Sequence, residues 1–98
     1  MKKKKFYLNV GKFGAAIGLS ALDKEIIRQK NRMIDHLKEV RLKNEISQAE
    51  LAKKLGTKQP AIGRMEAGYV GEVSFDFLIR VALALGVSLE IVPSKKAA

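Results

Sequence analysis

The sequence contains no cysteine. Disulfides, thiol nucleophiles and thiolate zinc sites are therefore excluded, and the chain suits a reducing cytoplasm, which is the expected location. It has a single histidine, His36. No carboxylate pair, Ser/His/Asp set or metal-ligating cluster accompanies it, and its helical register reads as the solvent side of the first helix. No enzymatic activity, metal or cofactor is expected. No stretch of about 18 uncharged apolar residues exists, so no membrane span is expected either. Aromatic residues make up only 6%. RNA readers that stack bases need two or three at the binding face, and Tyr69 alone stands near the relevant segment. Acidic residues are also scarce: 10 against 19 lysines and arginines, a formal net charge of +9. Such an imbalance favours polyanionic partners, nucleic acid or an anionic surface, although solubility alone could account for it.

What is present is unevenly distributed. Residues 1–30 carry eight cations and two anions, residues 31–68 eight and five, and residues 69–98 three and three. The length of 98 residues fits one domain with a modest core, which dimerisation would support. Residues 1–20 form a basic, Gly-containing arm. Lys2–Lys5 is a charge run, Phe6–Val10 is weakly β-prone, and Gly11, Gly14 and Gly18 punctuate an apolar stretch. The arm reads as mobile or as an addition from expression; a secretory signal is the other reading, weakened by Asn9, Lys12 and the glycines. The glycines fit neither G-x-x-x-x-G-K-[ST] nor G-x-G-x-x-G.

From residue 21 to residue 92 the pattern is mainly helical. Ile26, Met33, Leu37 and Val40 place a helix over Asp23–Asn44, with Ser20 or Asp23 as cap. The polar run Arg28–Arg32 suggests that its packed part starts near Asn31 or Arg32. Ser47 and Glu50 form a capping box that opens a short helix ending at Gly56, with Ala49, Leu51, Ala52 and Leu55 as its inner face. Pro60 belongs in a first turn, so a third helix starts near Thr57 and runs to Ala67, with Ile62 and Met65 inward and Gly68 as its stop. Tyr69–Val73 is a loop. Ser74 caps a fourth helix reaching Leu85, with Phe77, Leu78, Val81, Ala82 and Leu85 inward. Val87, Leu89 and Ile91 alternate with Ser88, Glu90 and Val92 as a strand, which Pro93 terminates; residues 93–98 are a tail.

Two short helices across a glycine turn are the arrangement that presents one helix to a major groove while the other braces it. The outward residues of the third helix are Lys58, Gln59, Pro60, Gly63 and Arg64. Glutamine can pair with an adenine edge and arginine with a guanine edge. A mid-helix glycine such as Gly63 costs about 1 kcal/mol against alanine; close approach to DNA would account for it, as would tolerance on an exposed face.

The ordered set Gln48, Glu50-Leu51-Ala52, Leu55-Gly56, Gln59, Ile62, Arg64, Glu66 and Gly68 resembles the helix-turn-helix of the phage repressor and Cro family, also called the XRE family. The likeness spans about Arg32–Val87 and implies a repressor-like DNA-binding fold; with the pattern above, the expected architecture is four to five helices with a short C-terminal dimerisation strand. It implies that Gln48, Thr57 and Lys58 hold phosphates; Lys43, outside the matched set, is a further candidate. It implies that Gln59 and Arg64 read bases beside Pro60 and Gly63, where the family usually has polar residues. It further implies that Arg41 and Glu66 form an internal salt bridge. A strand in place of the usual fifth helix is similar to the HigA-like and HipB-like antitoxins. Pairing of Val87, Leu89 and Ile91 across a two-fold axis would satisfy its edge; pairing within the chain, with Phe6–Val10, is the alternative. The resulting expectation is a homodimeric repressor on an inverted-repeat operator of double-stranded DNA, autoregulating a toxin–antitoxin operon and binding a toxin. The alternative is a protein-interaction module with only non-specific DNA affinity.

Overall fold

A computed structural model describes residues 3–8 and 19–93. The elements run β1 (Lys3–Leu8), α1 (Leu19–Lys43), α2 (Gln48–Leu55), α3 (Gln59–Glu66), a 3-10 turn (Val70–Glu72), α4 (Phe75–Ala84) and β2 (Ser88–Pro93). The mainly helical, four-helix architecture with a short C-terminal strand is the one expected. The glycines at 11, 14 and 18 and the tail beyond Pro93 lie outside the described residues.

α1 starts at Leu19, earlier than the periodicity placed it, and runs unbroken through Arg28–Arg32. Its first half is held by local pairs: Arg28 to the Glu25 carboxylate at 2.8 Å and the Gln29 amide to the same carboxylate at 3.1 Å. Lys30 reaches across to the carbonyl of Val70 at 3.3 Å. Packing begins at Gln29, which is fully buried and followed inward by Met33, Ile34, Leu37 and Arg41. Ile26, expected in the inner stripe, is exposed instead.

Local chemistry sets the boundaries of the shorter helices. The Ser47 Oγ accepts from the Glu50 N–H at 3.0 Å while the Glu50 carboxylate accepts from the Ser47 N–H at 3.1 Å, closing the capping box. α2 buries Leu51 and Ala52 and half-buries Leu55; Ala49, expected inward, is exposed. Gly56 stops the helix with φ of 69°, a left-handed conformation natural to glycine. Pro60 sits in the first turn of α3, which buries Ile62 and Met65. Ser74 caps α4 by accepting from the Phe77 N–H at 3.1 Å. α4 then buries Leu78, Val81 and Ala82, with Leu85 beyond its end. The expected Tyr69–Val73 loop contains the 3-10 turn.

The strand pairing follows the alternative expectation, within the chain. β2 pairs in parallel with β1 of the same chain, Lys3 opposite Ser88 through Leu8 opposite Pro93. Parallel strands need a long crossover, and the four helices supply it. Pairing within the chain, the alternative to pairing of Val87, Leu89 and Ile91 between protomers, thus occupies one edge of β2, with Val87 just before the paired residues. Phe6 gives the physical reason. Only 2% exposed, it docks in the common core and meets the His36 ring edge-on at 6.1 Å. Residues 3–8 are therefore part of the folded domain rather than of a separate arm, and His36 is half-buried beneath β1 rather than on the solvent side.

Candidate nucleic-acid interface

α2 and α3 meet through a chain of polar side chains that starts in the core and ends at the surface. Arg41 on α1 is buried. Its Nε donates to Glu66 Oε2 at 2.6 Å, its Nη2 to Glu66 Oε1 at 2.8 Å, and its Nη1 to the carbonyl of Ile46 at 2.7 Å. Glu66, at the end of α3, also accepts from Gln48 Nε2 at 2.9 Å. Gln48 Oε1 in turn accepts from Gln59 Nε2 at 2.6 Å. The chain thus ties the ends of α1, α2 and α3 to the exposed amide of Gln59. Burial by itself pushes the Glu66 carboxyl up. The hydrogen bonds from Arg41 and Gln48, with the charges of Arg41 and Lys38, outweigh this and hold it below its ordinary value. At neutral pH it is ionised, and Arg41 is held more firmly protonated by the bond to Glu66.

The four residues expected to face bases lie together on α3. Gln59, Pro60 and Arg64 are exposed and Gly63 is half-buried. Gly63 has a use that sequence reasoning did not reach: a Cβ there would stand 3.3 Å from Gln59 Nε2 and 3.5 Å from Gln48 Oε1. The missing side chain is the space in which the two glutamines meet.

The expected phosphate-side residues divide into two groups. Gln48 and Thr57 are half-buried at the two ends of α2, and Lys58 is exposed in the cap position of α3. The Thr57 N–H donates to the carbonyl of Ala52 at 2.9 Å, which fixes the turn. Lys43 is exposed in the last turn of α1, apart from the α2–α3 unit. Lys53 and Lys54 are also exposed in the last turn of α2 and extend the positive face.

Glu72 was missed. Its carboxylate lies 3.6 Å from Arg64 Nε, with both side chains more than half exposed. The two flank a cleft of 310 Å³ whose lining also includes Ala61, Val73 and Phe77. No short-range spacing signals this contact, because the turn after Gly68 decides where Glu72 falls. The Gln48–Gln59 bond was equally invisible, since it joins two helices at an angle that the sequence does not state.

Among the described residues, no helix is long and apolar enough to cross a membrane, and no group of three or more His, Asp or Glu could hold a metal ion. Comparison with known families matches residues 37–92 to the helix-turn-helix family, more than half of the chain. Comparisons with curated proteins and with solved structures gave no match. The matched span starts within α1, contains α2, α3 and α4, and reaches β2. The chain belongs to the XRE-type helix-turn-helix family and is a DNA-binding transcription regulator.

Proposed function

We propose that the protein is a sequence-specific repressor that reads an inverted-repeat operator as a homodimer and autoregulates its own operon as an antitoxin. The observation that carries the reading is the polar chain ending on Gln59. A base reader must be oriented before it meets DNA, and Gln59 is held by Gln48, which is held by the buried Arg41–Glu66 pair. Arg64 lies on the same helix with its guanidinium exposed and is the second base reader. Gln48, Thr57, Lys58 and Lys43 take phosphates and set the register.

The dimer forms through the second edge of β2. β1 covers one edge and carries lysines at 3, 4 and 5, which discourage further pairing on its outer side. β2 carries Ser88, Leu89, Glu90, Ile91 and Val92, and antiparallel pairing of two copies about a two-fold axis would complete a four-stranded sheet. The two α3 helices would then address half-sites about 34 Å apart, or a multiple of that distance.

A second reading, in which binding a protein partner such as a toxin is the main task, is favoured by one observation. Leu22, Ile26 and Ile27 are 38%, 41% and 44% exposed on the first half of α1.

Selection of duplexes from a random pool, followed by fluorescence anisotropy on the selected and a scrambled duplex at two salt concentrations, separates the readings. A specific repressor gives a preference of about a thousandfold or more. Equal, steeply salt-sensitive affinity for both duplexes would leave only electrostatic binding and favour the interaction module.

A further inference from the structure

We infer that Glu66 determines which base Gln59 reads, by fixing the direction of every amide between them; the inference rests on the reading of Gln59 as a base contact. A carboxylate can only accept hydrogen bonds, whereas a glutamine amide has one accepting and one donating end. Gln48 stands between Glu66 and Gln59 and bonds to both. Because Glu66 accepts, Gln48 must turn its Nε2 toward it, which leaves Gln48 Oε1 facing Gln59. Gln59 must then offer its own Nε2 to Gln48. One N–H and the carbonyl oxygen of Gln59 remain for DNA. That donor and acceptor complement the N7 acceptor and N6 donor of adenine.

The direction of the chain originates at Arg41, which has donors only. Its two bonds to Glu66, at 2.6 and 2.8 Å, keep both carboxylate oxygens facing positive N–H groups. The space above Gly63 lets the glutamine pair sit close enough to transmit the direction, at 2.6 Å.

Replacing the ion pair by an apolar pair of similar volume, Arg41→Met with Glu66→Leu, removes the fixed acceptor. Glu66→Gln would not, because Arg41 Nη2 and Gln48 Nε2 both donate to the same oxygen, Oε1, and a carbonyl oxygen at that place would still accept from both. Beside the apolar pair Gln48 can bond to Gln59 in either sense. Where its nitrogen donates to Gln59 Oε1, Gln59 is left with two N–H donors toward the groove, which match the N7 and O6 acceptors of guanine.

The experiment is selection of binding sites from a random duplex pool by the full chain, with sequencing of the selected DNA. Gln59→Ala identifies the base facing residue 59 as the position whose preference disappears. The wild type should select adenine there. Arg41→Met with Glu66→Leu should accept guanine beside adenine there, its preference for adenine falling by at least about fivefold, with the other positions unchanged. Gln48→Leu leaves the Arg41–Glu66 pair intact and cuts the chain, so it should erase the preference at that position alone, with an unchanged melting temperature. It decides the matter should the double variant fail to fold. Full retention of the adenine preference by the folded double variant, or by Gln48→Leu, overturns the relay while leaving Gln59 as a reader. An unchanged selection by Gln59→Ala removes the base-contact reading and the relay with it.

Discussion

Replacing Gly63 by alanine should stabilise the protein and impair its reading of DNA. Gly63 is a helical residue outside the left-handed region. Alanine should therefore gain about 0.8–1.0 kcal/mol from helix propensity and the loss of unfolded-state freedom. The new Cβ meets only Gln59 Nε2 at 3.3 Å and Gln48 Oε1 at 3.5 Å. Both are tips of flexible side chains on the surface side of the chain, so they can withdraw by a few tenths of an ångström. The net gain should be about 0.5–1 kcal/mol, a rise in melting temperature of about 3–6 °C for a domain of this size. The same withdrawal stretches the Gln48–Gln59 bond. Losing it outright costs about 1 kcal/mol of orientation, close to a fivefold loss of discrimination at the base facing Gln59. Thermal melts by circular dichroism and anisotropy on duplexes differing at that base measure the two effects. A variant no more stable than the wild type, or one more stable with discrimination intact, would refute the account of Gly63.

Four further outcomes follow from the same geometry. Phe6→Ala should cost about 3–5 kcal/mol in urea unfolding, because Phe6 is a fully packed core residue; a loss under about 1 kcal/mol would detach β1 from the core. Burial, then the charge of Lys4, holds His36 below its ordinary pKa against the opposing pull of Glu39, in a groove that Arg32 and Asp35 also line. Its neutral form is thus favoured by folding, so this contribution is complete above the unfolded value of about 6.5 and is lost as pH falls below it toward the lower folded value; melting temperature should drop over that window in the wild type and drop less in His36→Gln. Glu72→Gln should free Arg64 for phosphates and steepen the salt dependence on scrambled DNA by about one unit of slope; an unchanged slope would make the 3.6 Å ion pair inconsequential. Arg41→Met should cost about 3–5 kcal/mol by stranding Glu66, whereas Arg41→Met with Glu66→Leu should recover most of that stability in melts without recovering discrimination at the Gln59 base; recovery of both would show that the ion pair serves packing alone.

What was legible in the sequence obeyed local rules. Ser47 with Glu50, Gly56, the position of Pro60 and Ser74 each announce a helix end through hydrogen bonds or φ values that involve neighbours within a few residues. The helix-turn-helix unit and the inner faces of α3 and α4 followed from them. What was not legible depended on distant partners. Lys3–Leu8 looked like a basic arm because its lysines conceal the one residue, Phe6, that enters the core; its β-prone residues made it an alternative partner for the C-terminal strand, but spacing could not choose that pairing over one between protomers. Ile26 matched the helical period but lies beyond the stretch of α1 that the other helices cover. Gln29, polar and set in a polar run, is buried because it shares a face of α1 with Met33 and Leu37, and its amide donates to Glu25 within the same helix. In the candidate interface, the residues of α3 could be assembled from spacing, whereas the links of Gln59 to Gln48 and of Arg64 to Glu72 arise from interhelical geometry.

The buried Arg41–Glu66 pair is better explained by direction than by stability. Side-chain exposures of 9% and 3% mean that both charges leave water almost completely. Desolvation of such a pair commonly cancels its Coulomb attraction, so an apolar pair of similar volume would hold α1 against α3 about as well. An apolar pair, however, could not tell the Gln48 amide which way to face. Without a fixed acceptor at Glu66, Gln48 and Gln59 could bond in either sense, and the exposed amide would offer a donor–acceptor pattern in one sense and a two-donor pattern in the other. These patterns suit different bases. A buried charge that accepts and never donates removes one of the two states, and it does so beneath the surface, where solvent cannot compete for the bond. The same three side chains that brace the helices thereby convert a flexible surface glutamine into one with a defined hydrogen-bonding sense.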